Sequence, residues 1–491
     1  MKNTGRIATL LHPEARRIVF NDSLHAAAKE NLPHYAEMDR AQAVMLAETG
    51  YLHTDFAMKI IRQLDELEVT DFRSIAAHPA PRGEYLAYED ALRELLGNTV
   101  SNLHLGRSRN DLSATLLKLK LRKPFRALAS EVIQLVETLI DKARDNLETP
   151  LPLHTHRQPA VPSTLAHHCA GFATCLLRDL DAILALAPSL NTSCLGAGCG
   201  GGTTIAIRPK RTAELLGFAT PVGNSIDAVA SRDLVLRLLS ALSILSNNLG
   251  RISETLLGWL GDAGLASLPD ALVGSSSAMP HKRNAFLLEQ VQGKSGVVTG
   301  VLMSALCASQ ASPFTNCVAV GTEASGQVWH GVETTRQALV LTRLCIDGLE
   351  VNQDAAFAMM MDRYVNAMEA ANKLVEAGAN DFRSAHAEIG QLVTQAEAVP
   401  KTELLSTRKA ANLPVLERAR ADLTPSAIIL AASHGGGPAP DAVTATLDAL
   451  TAALTGCGKQ VSALSTGWDH AQKQLSEAIA KLNIHASSQH A

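Results

Sequence analysis

Four short segments of the chain combine charged, hydroxyl and amide side chains: residues 103–111, 153–162, 224–233 and 273–284. All of them except 224–233 also contain glycine or proline. A helix start offers free N–H groups and a partial positive charge, and both favour the binding of a carboxylate. Arginine, serine and asparagine side chains near such a start add further donors. Each of the four segments therefore looks more like part of a site than like a spacer.

The first segment, LHLGRSRND, places two arginines, a serine and an asparagine directly before a helical pattern. Ser108, Asn110 or Asp111 is suited to cap that helix, because short polar side chains accept from the free N–H groups of a first turn. The competing interpretation is a capping turn with a surface salt bridge and no ligand.

The second segment, LHTHRQPAVP, precedes a proline-marked helix start and contains His156, whose ring can move a proton near neutral pH. A hydrogen-bonded core histidine is the alternative. A metal held by His154, His156, His167 and His168 is disfavoured, because no carboxylate or cysteine completes the set at the spacing of a metal site.

The third and fourth segments differ in character. NSIDAVASRD leads into the longest helical pattern, and its polar residues are also typical of a plain helix cap with a charged first turn. VGSSSAMPHKRN is too rich in serine and glycine for a helix and too polar for the core. It predicts a flexible loop that carries either a base or nucleophile near Lys282 or no function beyond a solvated link.

Long helices must position these segments. Seven apolar residues alternate at spacings of three and four: Val235, Leu238, Leu242, Leu245, Leu249, Ile252 and Leu256. This seam predicts a long helix packed at shallow angles in a bundle. Because such a seam would leave apolar surface exposed in a monomer, we expect an oligomer.

The rest of the chain also favours helices, near 163–188, 286–311 and 327–349 and in a run after Asp111 that Pro124 should kink. Strand patterns are nearly absent. The last third suggests shorter helices, and the tail after about Asn483 has the composition of a disordered end.

We therefore predict an all-α chain with three domains. They are an N-terminal helical domain over residues 1–110, a central long-helix bundle over 111–358 that carries the loop 273–284, and a C-terminal helical domain over 359–491. A formal net charge of -4 gives no sign of a nucleic-acid or membrane partner.

The chain shows no signal-peptide pattern and no apolar run long enough to cross a bilayer, which predicts a cytoplasmic protein. None of its eight cysteines shows the spacing of a zinc or redox motif, so we expect free, mostly buried thiols.

The four segments, in this order, resemble the conserved regions of the aspartase/fumarase superfamily. VGSSSAMPHKRN is similar to its signature loop, Gly-Ser-Ser-x-Met-Pro-x-Lys-x-Asn, with Ser275 in place of the signature glycine. LHLGRSRND and NSIDAVASRD resemble the argininosuccinate lyase branch, as do LTP at 423–425 and SHGG at 433–436. The resemblance extends from about residue 5 to about residue 450.

This resemblance implies a three-domain aspartase/fumarase-type fold and a homotetramer whose core is a bundle of long helices from four subunits. It implies active sites where three subunits meet, with no metal or organic cofactor. The implied reaction on the small-molecule substrate is reversible elimination of an amine from an N-substituted aspartate, which releases fumarate.

The hard step of such a reaction removes a proton next to a carboxylate, and the extra negative charge needs positive groups already in place. Lys282 and Asn284 fit that need. By resemblance, Ser276 is the base, and His156 is the candidate that protonates the leaving nitrogen. The other expected substrate contacts are Arg107, Ser108, Asn110, Thr155, Gln158, Ser277 and Met279.

The amine half departs from the branch pattern. Argininosuccinate lyases carry a tyrosine, a glutamine and a lysine after the signature loop, and those positions fall on Asn316, Gly321 and Ala324 here. Phe286 stands where an aspartate is common, and Arg157 where leucine is usual. We therefore expect an intact fumarate half and a rebuilt amine pocket, with Phe286, Asn316 and Arg157 as its candidate residues.

The expected substrate is accordingly another N-substituted aspartate, such as iminodisuccinate or ethylenediamine-disuccinate (EDDS). Two alternatives stay open. One is argininosuccinate itself, bound in a divergent pocket, and the other is a non-catalytic structural or binding role.

Overall fold

The computed structural model describes residues 6–7, 9–20, 23–261, 264–378, 381–397 and 421–488. Most of these residues are helical, which confirms the predicted all-α class. Within this part of the chain no helix is both long enough and apolar enough to cross a membrane.

The first hundred residues form short and medium helices. They are α1 (Pro13–Val19), α2 (Ala27–Glu30), α3 (Leu32–Glu48), α4 (Thr54–Val69), α5 (Arg73–Ala76) and α6 (Glu84–Leu96), followed by a 3-10 helix over Asn98–His104.

The next elements are long helices that alternate with short helices and short strands. They are α7 (Arg109–Arg144), β1 (Leu153–Thr155), β2 (Gln158–Val161), α8 (Leu165–Leu184), α9 (Ala187–Leu190), β3 (Thr192–Ser193), α10 (Pro209–Leu215), β4 (Thr220–Pro221), α11 (Ser225–Ala230), α12 (Asp233–Leu260), β5 (Ala266–Ser267), α13 (Phe286–Ser309), a π-helical segment (Ala319–Ala324), α14 (Ser325–Asp347) and β6 (Glu350–Val351). The chain continues with α15 (Gln353–Asp362), α16 (Ala367–Glu376), α17 (Phe382–Glu397), α18 (Pro425–Ala431) and α19 (Pro440–Ser488).

The helices expected near 163–188, 286–311 and 327–349 are thus confirmed as α8, α13 and α14. Helix α7 is continuous through Pro124, where the sequence predicted a kink. The strands pair two by two: β1 with β2 and β5 with β6 are antiparallel, and β3 with β4 is parallel.

The long helices α7, α12 and α14 run in the same direction. Lys120 lies over the Trp329 ring at 5.1 Å, and further along both helices Arg336 pairs with Glu131 at 2.7 Å. The hydroxyls of Ser246 in α12 and Thr335 in α14 are 3.3 Å apart. Earlier along both helices, Leu239 packs on Gly331.

The helices α8 and α13 run the opposite way. In α8, His168 contacts Trp259 near the end of α12, whereas Asp179 bonds Asn248 at 2.9 Å, further back along α12. In α13, Leu288 accepts from the Ser253 hydroxyl at 2.8 Å. The bundle therefore has two distinct ends. We call the one where α7, α12 and α14 begin the α7-start end, and the other the hairpin end, because β1 and β2 lie there.

All seven residues of the apolar seam in α12 are buried within the chain. The seam packs with α8, α13 and α14 in one large core, so it gives no reason by itself to expect an oligomer. Exposed apolar side chains lie elsewhere, for example Val297 and Met303 on α13, which are 44% and 52% exposed.

The last third of the chain departs most from its prediction. Instead of only shorter helices it contains α19, which has 49 residues and runs to Ser488, past the point where a disordered tail was expected. Its first half, with Leu447, joins the bundle core, and its second half, with Leu475, joins the N-terminal core. In the described part of this third, α16 and α17 form a small core of their own, around Leu374.

Candidate active site

The segment 103–111 forms the start of α7 through a reciprocal cap. The Ser108 hydroxyl accepts from the N–H of Asn110 at 3.3 Å, and the Asp111 carboxylate accepts from the N–H of Ser108 at 2.8 Å. This capping box is the arrangement that a serine followed three residues later by an acid favours. Ser108 and Asn110, both predicted substrate contacts, are partly exposed at this helix start.

Asp111 also holds the glycine-rich loop of residues 196–204. Its second carboxylate oxygen accepts from the N–H groups of Gly196 and Gly198, both at 2.9 Å. Gly198 has a φ of +62°, and a side chain there would meet the Gly202 carbonyl oxygen at 3.0 Å. Burial raises the pKa of Asp111, and the three N–H donors oppose that rise. The sequence suggested Asp111 as a cap but gave no sign of this loop clamp.

Arg107 occupies a different place from the one predicted. Its guanidinium is fully buried, pairs with Asp39 at 2.7 Å and donates to the Tyr85 hydroxyl at 3.2 Å. In this chain the Arg107 side chain has no exposed surface, so it does not project beside Ser108 and Asn110 as its predicted substrate contact requires. The pair instead fixes the turn that precedes Ser108.

The amine-pocket candidate Asn316 is exposed at the α7-start end, just before the π-helical segment. Gly321 lies within that segment, and the nearest side-chain atom to a Cβ placed there would be Nη2 of Arg232, at 3.9 Å. Ala324 is buried and presents nothing to a pocket. Asn316 therefore shares an end of the bundle with Ser108 and Asn110.

The segment 153–162 is a β-hairpin, which the sequence did not predict. Thr155 pairs with Gln158, and the two residues between them, His156 and Arg157, have φ values of 49° and 62°. Two-residue hairpin turns need such values, but glycine or asparagine normally supplies them. Side chains held in this region often mark functional positions. Helix α8 starts later, with Thr164 as its cap.

Thr155, His156, Arg157 and Gln158 all project as exposed side chains at the hairpin end. Arg157 forms a 2.6 Å ion pair with Glu254 near the end of α12. Glu254 also accepts from Gln292 of α13, at 2.8 Å. This amine-pocket candidate is therefore tied to the bundle, while His156 beside it stays open to a ligand.

The signature loop is closed at its neck by a two-way backbone pair between Gly274 and Asn284, at 2.8 Å in each direction. Within the loop, the Ser276 Oγ accepts from the N–H of Met279 at 3.0 Å and from that of Ala278 at 3.4 Å. Two N–H groups aimed at one oxygen stabilise negative charge on it. This is the arrangement that a serine base requires.

The other loop candidates, Ser277, Met279 and Lys282, are exposed, and Asn284 is partly exposed at the neck. Phe286 starts α13 and covers the neck: a side chain at Gly274 would meet its ring at 2.9 Å. The ring is 42% exposed, so it forms an apolar edge beside the loop. That edge is where a rebuilt amine pocket was expected to begin.

The candidates are split between the two ends of the bundle. Ser108, Asn110 and Asn316 lie at the α7-start end, and His156 and Ser276 at the hairpin end. The 36-residue helix α7 joins the two ends and is about 50 Å long at the usual rise per residue. One chain therefore does not bring all of its candidates around one substrate.

A family model described as a lyase matches residues 15–300, more than half of the chain. The chain belongs to the aspartase/fumarase family of lyases. The lyase is 32% identical to the argininosuccinate lyase of Methanothrix thermoacetophila over 455 residues, which cover 90% of this chain and 92% of that protein.

The structure of the lyase is similar to that of EDDS lyase in complex with formate, with a TM-score of 0.83 and 26% identity over 96% of this chain and 94% of that one. A variant of EDDS lyase with bound fumarate gives a TM-score of 0.82 and 26% identity, over 98% and 97% of the two chains. These similarities confirm the predicted fold.

The histidines around α8 in the lyase are held by protein groups. His167 has Ser163 Oγ at 2.9 Å and the Gly436 carbonyl at 3.0 Å, which ties the start of α8 to the SHGG segment. His168 is buried against Trp259. Among the described residues, the one group with metal-ligand proximity is His78, Asp90 and Glu94, in the N-terminal part of the chain.

Proposed function

We propose that the lyase reversibly eliminates an amine from an N-substituted aspartate that carries further carboxylates, such as EDDS or iminodisuccinate, and releases fumarate. The observation that carries the proposal is the signature loop, in which Ser276 Oγ already has two N–H donors at 3.0 and 3.4 Å. The amine side, with Asn316, Gly321 and Phe286, differs from the pattern of argininosuccinate lyases.

The chemistry begins with removal of a proton from the CH2 carbon of the succinyl half, which lies next to the carbon that bears the nitrogen and carries the other carboxylate. Ser276, as its alkoxide, takes this proton, and the N–H groups of Ala278 and Met279 stabilise the alkoxide. Lys282 and Asn284 face the charge that develops on the carboxylate. The C–N bond then breaks with His156 as the candidate donor of a proton to the leaving nitrogen.

Ser108, Asn110 and Thr155 hold the carboxylates of the succinyl half in this proposal, with Gln158, Ser277 and Met279 around it. Because these groups lie at opposite ends of α7, a complete site takes them from different subunits. The proposal therefore includes an oligomer, and a homotetramer is the form that the family resemblance implies.

Cleavage of argininosuccinate is the second candidate function, favoured by 32% identity over 90% of the chain. A non-catalytic role is the third, and the donors around Ser276 weigh against it. The three candidate functions differ in the substrate, if any, from which fumarate is released, so one assay distinguishes them.

The test is fumarate formation, followed by absorbance, with argininosuccinate, adenylosuccinate, aspartate, iminodisuccinate and EDDS. We expect fumarate from EDDS or iminodisuccinate, with argininosuccinate inert. Turnover of argininosuccinate at about 1 per second or faster, a rate usual for enzymes, would replace the proposal by the second candidate. No fumarate from any member of the panel would favour the non-catalytic role.

A further inference from the structure

A cavity of about 310 Å³ lies beside α7, at the start of α12, and contains charged groups with no role in the proposed reaction. Its α7 wall is formed by Ala114, Leu117 and Lys118, and its opposite wall by Ser231 and Arg232. Asn110, Ala114 and Lys118 follow one another at intervals of four, so they share a face of α7. Lys118 is thus two turns, about 12 Å, below the predicted substrate contact Asn110.

Arg232 is buried, and none of the described residues supplies a counter-charge for it. The residue is 7% exposed, and its Nη1 donates to the carbonyls of Val229 at 3.2 Å and Ser231 at 2.7 Å. Among the residues that the structure describes, no carboxylate lies within ion-pair distance of it. Burial lowers its pKa, which is the expected sign of a guanidinium taken from water without an acid beside it. A buried charge left in this way is costly unless an anion joins it.

Lys118 brings a second positive charge to the cavity. Its Nζ donates to the Thr192 carbonyl at 2.7 Å, and it too has no acid within ion-pair distance in the described part of the chain. Arg232 is also the residue at the start of α12, a 28-residue helix whose first turn adds partial positive charge.

Two carboxylates line the same cavity, those of Asp227 and Asp233, and both residues are exposed. Asp233 is paired with Arg237 at 3.5 Å, one turn further along α12. The buried wall of the cavity is therefore cationic, whereas its acids lie at the solvent side. This polarity suits an anion that enters far enough to reach Arg232 and Lys118.

We propose that this cavity binds a small oxyanion, a carboxylate or a phosphate, between the side chains of Arg232 and Lys118. It is separate from the signature loop, which lies at the hairpin end. A bound anion here would brace the start of α12 against α7 below Asn110, and against Gly321 beside Arg232. The ligand is thus an effector of the α7-start end, and its binding does not depend on which amine the enzyme releases.

The test is calorimetric titration of the intact protein with inorganic phosphate and, separately, with formate, at constant ionic strength set with chloride. We expect saturable binding, weakened at least about tenfold in Lys118→Gln, because a charge-assisted contact is lost. Lys118→Arg should keep the binding. Tighter binding of phosphate than of formate identifies a phosphate-bearing ligand, and the reverse order identifies a carboxylate.

Three further variants keep the result interpretable. Arg232→Gln should also lose binding, and Lys118 provides the same test where that buried variant fails to fold. Arg237→Gln, on the exposed side of α12, and Asn284→Ala, in the signature loop, should both bind as the unmodified protein does. Undiminished binding in Lys118→Gln, or loss of binding in Asn284→Ala, would overturn the proposal.

Discussion

At the α7-start end the candidate groups are fixed from below by buried partners, whereas at the hairpin end they project from short exposed turns. Asp111 joins Ser108 to the glycine-rich loop, and Arg107 pairs with Asp39 beneath them. At the other end, Ser276 and His156 are held only by local hydrogen bonds and by turn geometry. Under the proposed function, we expect the rigid end to receive the substrate and the signature loop to close on it.

The largest expected effect is at Ser276. Replacing it with alanine removes the oxygen that the two N–H groups stabilise, so fumarate release should fall by roughly 1,000-fold or more. Ser275→Ala, one position earlier in the same loop, is the matched control and should keep most of the activity. Comparable rates for Ser276→Ala and Ser275→Ala would remove Ser276 as the base.

The separation of the two ends predicts complementation. Asn110→Ala and Ser276→Ala each disable one end, so each alone should be nearly inactive. If a site takes its two halves from different subunits, subunits unfolded and refolded together should regain about a quarter of the unmodified activity, as random mixing gives. Failure to regain activity, with mixed oligomers shown by mass spectrometry, would place both halves in one subunit.

The next largest expected effect is a loss of stability in Asp111→Asn, at the α7-start end. The carboxylate accepts three N–H groups in a buried place, and an amide leaves at least one of them without an acceptor, so the free energy of unfolding should fall by about 3 kcal/mol. Urea denaturation measures this. Asp227→Asn, exposed in the first turn of α11, should change it by no more than about 0.5 kcal/mol.

The hairpin end should lose stability in acid. Burial lowers the pKa of His168 to about 4, whereas a histidine in an unfolded chain titrates near its ordinary value of 6.5. Below pH 6.5 His168 therefore binds a proton in the unfolded chain but not in the folded protein. The free energy of unfolding falls as the pH approaches 4. The part of this loss that His168 causes should be about 2 kcal/mol between pH 7 and pH 5.

Urea denaturation at the two pH values checks this. His168→Phe keeps a ring beside Trp259 and has no titrating group, so its stability should depend less on pH by that amount. His330→Phe, at an exposed site on α14, should keep the full pH dependence. An unchanged dependence in His168→Phe would exclude His168 as its source.

The smallest effect concerns Arg157. Its ion pair with Glu254 is exposed, so Arg157→Gln should change the free energy of unfolding by less than about 1 kcal/mol. If Arg157 belongs to the amine pocket, the ratio of kcat/KM between EDDS and iminodisuccinate should nevertheless shift. A stable variant with an unchanged ratio would take Arg157 out of the pocket.

Regular patterns made much of the fold predictable. The seven-residue seam located α12, and the cap residues located the start of α7, because both depend on neighbours in sequence. The β-hairpin was missed because His156 and Arg157 do not carry the usual turn signal of asparagine and glycine. The extent of α19 was missed because small residues and scattered glycines dilute its apolar pattern.

For the candidate site, motif spacing selected segments but not side-chain directions. Ser276 lies among the donors that its role needs, whereas Arg107 turns inward. That inward turn depends on Asp39, some seventy residues away, and a long-range partner of this kind leaves no local signal. The clamp of Asp111 on Gly196 and Gly198 has the same origin, because a loop far along the chain supplies the donors.

Helix α19 has a consequence for how the protein is made. Side chains from its first half complete the bundle core, and those from its second half complete the N-terminal core. Synthesis proceeds from the amino terminus, and domains usually fold as they emerge. Here neither core can close before residues 443–478 have left the ribosome. Apolar surface of both cores therefore stays exposed to solvent during synthesis. We expect the nascent chain to depend on chaperones until α19 has been synthesised.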